Sequence, residues 1–147
     1  MLIIAYGNPL RGDDGVAWHI AEQLAAAQGQ SPLKILTRHQ LTPELAEAIS
    51  QANLVIFVDA SVGQPPGTIS CVPVGPEMAD QSSHQFDPAS LMFCAREIYG
   101  SAPKALLCTI AGEDFGYEER LSPTILAAMP KLLQRIRALI AAHEESN

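Results

Sequence analysis

The sequence predicts a three-layer α/β sandwich, in which helices cover both faces of a mostly parallel sheet of five strands. Two observations predict this fold: short apolar segments alternate with helix-like segments along the 147 residues, and the third apolar segment contains no polar residue. Parallel strands need crossover connections, and an uninterrupted apolar strand is typical of a sheet that is covered on both faces. Since the length matches one average domain, we expect a single domain over residues 1–147.

The chain begins with a strand that leads directly into a helix. Residues 2–6 are apolar and run into a glycine-rich loop, after which apolar side chains recur every three or four positions from Val16 to Ala27. Asp13 or Asp14 is the expected N-cap of this helix, and Gly29 is its expected C-terminal glycine.

The middle of the chain continues the alternation. Residues 33–37 form a second strand candidate, and a helix with proline in its first turn is expected to begin at Thr42-Pro43. The apolar run 54–58 predicts a buried strand that ends at Asp59.

The last third of the chain supplies two strands and two helices. Residues 67–74 end in a proline-containing segment, which predicts a strand at the edge of the sheet. A helix is expected from Asp87-Pro88 to Gly100, a strand over 104–110, and a final helix from Ser122-Pro123 to about Ala142.

The composition excludes several classes of function. Hydrophobic residues make up 48% of the chain and charged residues 17%, which is typical of a folded domain. Nine Lys and Arg stand against 16 Asp and Glu, so a net charge of −7 disfavours nucleic acid as a partner. The apolar N-terminus is too short for a signal peptide or a membrane span. We therefore expect a cytoplasmic protein without a membrane partner, and a monomer, since no long heptad demands a partner subunit.

The three cysteines, Cys71, Cys94 and Cys108, lie far apart in the sequence and form no C-x-x-C motif. This spacing disfavours a thiolate metal site and a disulfide framework. We predict three buried structural thiols.

Acidic side chains and a histidine follow the predicted strands. Asp13 and Asp14 come after the first strand, Asp59 ends the third, and His84 lies in the loop before the 88–99 helix. In open α/β sheets the ligand crevice lies beyond the carboxyl ends of the strands. Two carboxylates and one imidazole suit a divalent first-row ion such as nickel, zinc or manganese.

Each of these residues also has a structural interpretation. Asp14 can cap the first helix, Asp59 can cap a turn, and His84 can be an ordinary exposed histidine. For His39, which follows the second strand, structure or substrate contact is favoured over metal ligation.

Other chemistries lack their motifs. The glycines of the first loop have neither dinucleotide-binding nor P-loop spacing, and the loop's two aspartates would repel phosphate. There is no G-x-S-x-G elbow, H-E-x-x-H motif or evident cysteine–histidine pair.

The first loop also carries a family resemblance. The segment from Gly7 to Val16, GNPLRGDDGV, closely resembles the N-terminal signature of the hydrogenase maturation endopeptidases, which trim the large-subunit precursor of nickel–iron hydrogenases. Further similar segments follow in order: Val58-Asp59-Ala60, Ser83-His84-Gln85 and Leu121-Ser122-Pro123. The resemblance spans nearly the whole chain.

The resemblance implies a twisted five-stranded sheet between helices and a metal-dependent endopeptidase whose nickel-contacting and catalytic residues are Asp14, Asp59 and His84. Asp13 is the alternative to Asp14 as the first ligand. The implied substrate is the hydrogenase large-subunit precursor, which loses a C-terminal extension after nickel insertion. Nickel would be carried by the substrate and recognised there.

The resemblance also suggests details of substrate choice. The candidate substrate contacts are Asn8, Arg11, His39 and Gln85. The segment from Arg38 to Leu45 resembles the branch that serves bidirectional, NAD-linked hydrogenases. Two other functions stay open at this point: a non-catalytic assembly factor that checks nickel occupancy, and a phosphate- or nucleotide-binding α/β module.

Overall fold

The computed structural model describes residues 1–27, 33–80 and 86–146. The strands and helices follow one another in the order β1 (Leu2–Tyr6), α1 (Val16–Ala27), β2 (Lys34–Arg38), α2 (Leu45–Ser50), β3 (Leu54–Ser61), β4 (Ile69–Pro73), α3 (Pro88–Tyr99), β5 (Lys104–Ala111) and α4 (Pro123–Glu145). Two short 3₁₀ helices, Gly12–Gly15 and Pro76–Met78, lie between them. The predicted helix end at Gly29 and the predicted site residues His84 and Gln85 lie outside the described residues.

The strands form one sheet in the order β2-β1-β3-β5-β4. β2, β1, β3 and β5 are parallel to one another, while β4 pairs antiparallel with β5 at the edge. The prediction of an edge strand in this part of the chain is therefore confirmed. Since the carboxyl ends of the four parallel strands lie at one edge of the sheet, the loops that follow them are brought together there.

Apolar side chains alternate between the two faces of the sheet and build a core on each. On one face, strand residues such as Ile3 and Ile56 pack against α1 and α4. On the other face, Ile4 and Phe57 pack against α2 and α3. Helices thus cover both faces, and the predicted three-layer α/β sandwich is confirmed.

Two of the predicted helix starts are also confirmed. Asp87 caps α3 by accepting a hydrogen bond from the Ser90 N–H at 2.8 Å. α3 ends at Gly100, which adopts φ 78°, a left-handed conformation that glycine reaches without strain. Ser122 caps α4 through a bond to the Ile125 N–H.

The other two helix starts differ from the prediction. α2 begins at Leu45 rather than at Thr42-Pro43, because the carbonyls of Thr42 and Pro43 first accept bonds from a turn. Neither Asp13 nor Asp14 caps α1, because each carboxylate accepts hydrogen bonds from other segments. The N-cap prediction for both aspartates is wrong.

The prediction of three buried thiols holds only for Cys108, whose side chain is fully buried. Cys71, on the edge strand β4, and Cys94, on α3, are both partly exposed, so the prediction is wrong for these two. No helix among the residues that the structure describes has the length and hydropathy needed to cross a membrane.

Candidate active site

The loop after β1 is tied to the end of the neighbouring strand β2. The Gly7 N–H donates to the carbonyl of Arg38 at 3.0 Å. The indole N–H of Trp18 donates to the same carbonyl at 3.2 Å and to the carbonyl of Gly7 at 3.0 Å. These bonds fix where the first loop leaves the sheet.

Asp14 folds back over the end of β1 because residue 7 is a glycine. Gly7 adopts φ 143°, and a Cβ atom at this position would overlap the backbone oxygen of Asp14. The Asn8 N–H donates to Asp14 Oδ2 at 2.7 Å, which holds the carboxylate beside the strand end. The Asn8 side chain is itself engaged, since its Oδ1 accepts the Leu10 N–H at 2.9 Å.

Asp59 lies beside this carboxylate, inside the last part of β3. β3 runs to Ser61 rather than ending at residue 58, because its pairing with β5 continues through Ala111. Burial and then the nearby negative charge of Asp14 raise the pKa of Asp59 to about 7. Two of the three predicted site residues, Asp14 and Asp59, are thus brought together.

Tyr6 donates a hydrogen bond from its phenol to the carboxylate of Asp59. Burial, together with the charge of Asp59, holds the pKa of the Tyr6 phenol far above its ordinary value. Tyr6 was not among the residues singled out from the sequence. The sequence places Tyr6 only at the end of the first strand; the pairing of β1 with β3 puts it on the same side of the sheet as Phe57 and Asp59.

Asp13 has a different environment from its neighbour Asp14. It is fully buried, and both of its carboxylate oxygens accept hydrogen bonds from the segment after β5. The donors are the N–H groups of Glu113, Asp114 and Ser122 and the Ser122 hydroxyl, at 2.8–2.9 Å. Although burial opposes ionisation, these bonds lower the pKa of Asp13. Asp13 therefore joins the loops after β1 and β5 and has no oxygen left without a partner.

The remaining candidates lie on the loops after β1 and β2 or outside the described residues. The guanidinium of the exposed Arg11 lies 5.1 Å from the ring centroid of Tyr117, a cation–π contact. The exposed His39 packs edge-on against Trp18 with centroids 5.4 Å apart. No group of three His, Cys, Asp or Glu side chains that could hold a metal ion occurs within residues 1–27, 33–80 and 86–146. His84 lies outside these ranges, so the third ligand stays a prediction.

An open groove of about 430 Å³ lies next to the loops that Asp13 joins. Its walls are Gly12, the loop from Asp114 to Leu121 and the first turn of α4, where Leu126 is half exposed. The groove therefore has both apolar and charged walls, and one of its wall residues, Gly12, lies on the same loop as Asp14.

The raised pKa of Asp59 predicts a pH dependence of stability. The folded state binds the Asp59 proton more tightly than the unfolded state, so the free energy of unfolding falls as pH rises from about 4 to about 7. Asp59→Asn removes this titration. The stability of the variant relative to the wild type should therefore be higher at about pH 8 than at about pH 5. Urea unfolding of both proteins at each pH measures this difference. Equal differences at the two pH values would contradict the assigned pKa.

Comparison with known proteins adds to this geometry. No protein-family model matches the sequence, and no curated protein matches it either. Among solved structures, the hydrogenase maturating endopeptidase HybD from Escherichia coli is 25% identical and superposes with a TM-score of 0.81, over 99% of this chain and 93% of that one. The chain has the fold of the hydrogenase maturation endopeptidases.

Two archaeal structures support the same fold assignment. A hydrogenase 2 maturation peptidase from a Thaumarchaeota archaeon is 20% identical, with a TM-score of 0.72 over 95% of this chain and 97% of that one. The [NiFe] hydrogenase maturation protease HybD from Thermococcus kodakarensis is 19% identical, with a TM-score of 0.65 over 94% and 97%. The endopeptidase fold therefore accounts for nearly the whole chain.

Proposed function

We propose that this protein is an endopeptidase that removes the C-terminal extension of a nickel–iron hydrogenase large-subunit precursor after nickel insertion. The observation that carries the proposal is the match to the Escherichia coli maturating endopeptidase, at 25% identity and a TM-score of 0.81 over 99% of the chain. The pair of carboxylates at the carboxyl edge of the sheet supports it, because a hydrolase of this kind needs polar groups there.

Asp14 and Asp59, with His84 as the third ligand, are proposed to recognise nickel that the substrate already holds. Two carboxylate oxygens and one imidazole nitrogen are suitable ligands for a divalent first-row ion. Asp13 is not proposed as a ligand, because four hydrogen bonds already occupy its carboxylate. A precursor without nickel lacks the shared metal–ligand bonds and binds less tightly.

Asp59 is also proposed to move the proton during hydrolysis. Its carboxylate lies at the strand end near Asp14, where it is able to accept a proton from the attacking water and return it. The hydrogen bond from Tyr6 orients this carboxylate. Nickel held by the substrate would polarise the scissile carbonyl or the attacking water, so no side-chain nucleophile is required.

The residues around the carboxylates are proposed to select the substrate. Arg11 and His39 are exposed and lie on loops at the same edge of the sheet, while Asn8 acts through its bond to Asp14. Gln85 is proposed only from its place beside His84. The segment from Arg38 to Leu45 supports a substrate from a bidirectional, NAD-linked hydrogenase, and we propose that cleavage takes place in the cytoplasm.

Purified protein mixed with nickel-loaded and with nickel-free precursor tests this function. We expect mass spectrometry to find a shortened large subunit only in the nickel-loaded sample. Equal shortening of both precursors would contradict metal recognition. Stable binding of the nickel-loaded precursor without any loss of mass would instead identify a non-catalytic assembly factor.

A further inference from the structure

Two of the three cysteines stand directly opposite each other on adjacent strands. Cys71 in β4 pairs with Cys108 in β5 in the antiparallel part of the sheet. At the end of this ladder, the Val74 N–H donates to the carbonyl of its partner Ala105 at 3.0 Å, which marks a hydrogen-bonded pair. Since hydrogen-bonded and non-hydrogen-bonded pairs alternate, Cys71 and Cys108, three positions away, form a non-hydrogen-bonded pair.

The opposite end of the ladder gives the same result. There the Ala111 N–H donates to the carbonyl of Thr68 at 2.9 Å, again three positions from the cysteines. The Cα atoms of a non-hydrogen-bonded pair lie about 4.5 Å apart, within the range that a disulfide spans. Burial, and after it the neighbouring Cys71 thiol, raises the pKa of the Cys108 thiol, as expected for two side chains that face each other across the strands.

The third cysteine cannot take part in this pair. Cys71 and Cys108 both pack in the core between the sheet and α4. Cys94 packs on the other face of the sheet, against the core beneath α3. Of the pair, Cys71 is partly exposed on the edge strand, whereas Cys108 is fully buried. A small oxidant therefore reaches Cys71 first.

We propose that Cys71 and Cys108 form a modification site, at which a peroxide oxidises the two thiols to a cross-strand disulfide. The Cys71 thiol loses its proton, the thiolate attacks one peroxide oxygen, the O–O bond breaks, and Cys71 becomes a sulfenic acid while the leaving hydroxide takes up that proton as water. The Cys108 sulfur then attacks the Cys71 sulfur, so the S–S bond forms and the S–O bond breaks. The leaving hydroxide takes the Cys108 proton. Two thiols are oxidised by two electrons, and the peroxide is reduced to two waters.

The disulfide would join the edge strand β4 covalently to β5. It would also close the chain between residues 71 and 108, a stretch that contains α3 and the predicted site residue His84. Closing a loop of this size restricts the unfolded chain, so we expect the Tm to rise by roughly 5–10 °C on oxidation. The proposal does not depend on the peptidase function.

Peptide mapping of the folded wild-type protein tests the disulfide. The protein is treated with hydrogen peroxide, alkylated under denaturing conditions and digested without reductant. We expect a cross-linked peptide that contains Cys71 and Cys108, while Cys94 is alkylated as in the untreated sample. Dithiothreitol should restore alkylation of both cysteines and return the Tm to its starting value.

Two variants act as controls for the mapping. Cys94→Ser should form the same cross-linked peptide, whereas Cys71→Ser should form none and show no rise in Tm. Oxidation of Cys71 to a sulfinic acid without a cross-link, or a cross-link that includes Cys94 in the folded protein, would overturn the proposal. Because the wild-type map decides the question alone, the test does not depend on the folding of either variant.

Discussion

Asp13→Asn is expected to lower the free energy of unfolding by roughly 3–5 kcal/mol. The wild-type carboxylate accepts bonds from three backbone N–H groups and one hydroxyl, and it has no contact with solvent. The amide of Asn has only one acceptor oxygen. Its NH₂ group must therefore replace one carboxylate oxygen. In one orientation it faces the N–H groups of Glu113 and Asp114, and in the other it faces the N–H of Ser122. In either case the donors that it faces lose their hydrogen-bond acceptor.

Urea unfolding at neutral pH measures this effect, and Glu113→Gln is the matched control. Glu113 lies on the same loop, but its side chain is exposed, so the control is expected to change stability by less than about 0.5 kcal/mol. If Asp13→Asn were as stable as this control, the four bonds would not hold the two loops together.

The role of Asp13 shows why part of this site was not predicted from the sequence. Its partners lie 100 to 109 positions away along the chain, and local patterns carry no information about contacts at that separation. The sequence contains two adjacent aspartates in one loop, and chemistry alone did not separate them. Only the fold brings the segment after β5 to Asp13 and leaves Asp14 beside Asp59.

The elements themselves were predicted well because their signals are local. The apolar run that becomes β3 and the Asp-Pro and Ser-Pro pairs that begin α3 and α4 each act within a few residues. The sequence predicts the start of α2 too early because a turn at Thr42 resembles a helix cap in sequence. Asp59 was found as an acid that ends an apolar run, but its bond with Tyr6 depends on β1 and β3 being neighbours in the sheet.

Asp59→Ala is expected to reduce the rate of precursor processing by roughly 10²- to 10⁴-fold while the protein stays folded. The substitution removes the carboxylate that is proposed both to contact nickel and to move the proton. It also removes a buried group whose ionised form is disfavoured in the folded protein, so stability at neutral pH should not fall as it does for Asp13→Asn. Asp59→Ala is thus expected to lose activity without a comparable loss of stability, whereas Asp13→Asn is expected to lose stability.

Three further variants make this test specific. Tyr6→Phe keeps the ring but removes the hydrogen bond to Asp59, so processing should slow by less than in Asp59→Ala. Glu47→Gln removes an exposed carboxylate on α2 and should process at the wild-type rate. His84→Ala should lose processing as Asp59→Ala does if the imidazole is the third ligand.

The measurement is the time course of large-subunit shortening with nickel-loaded precursor, together with circular dichroism of each variant. Full processing by folded Asp59→Ala would show that this carboxylate is not part of the active site.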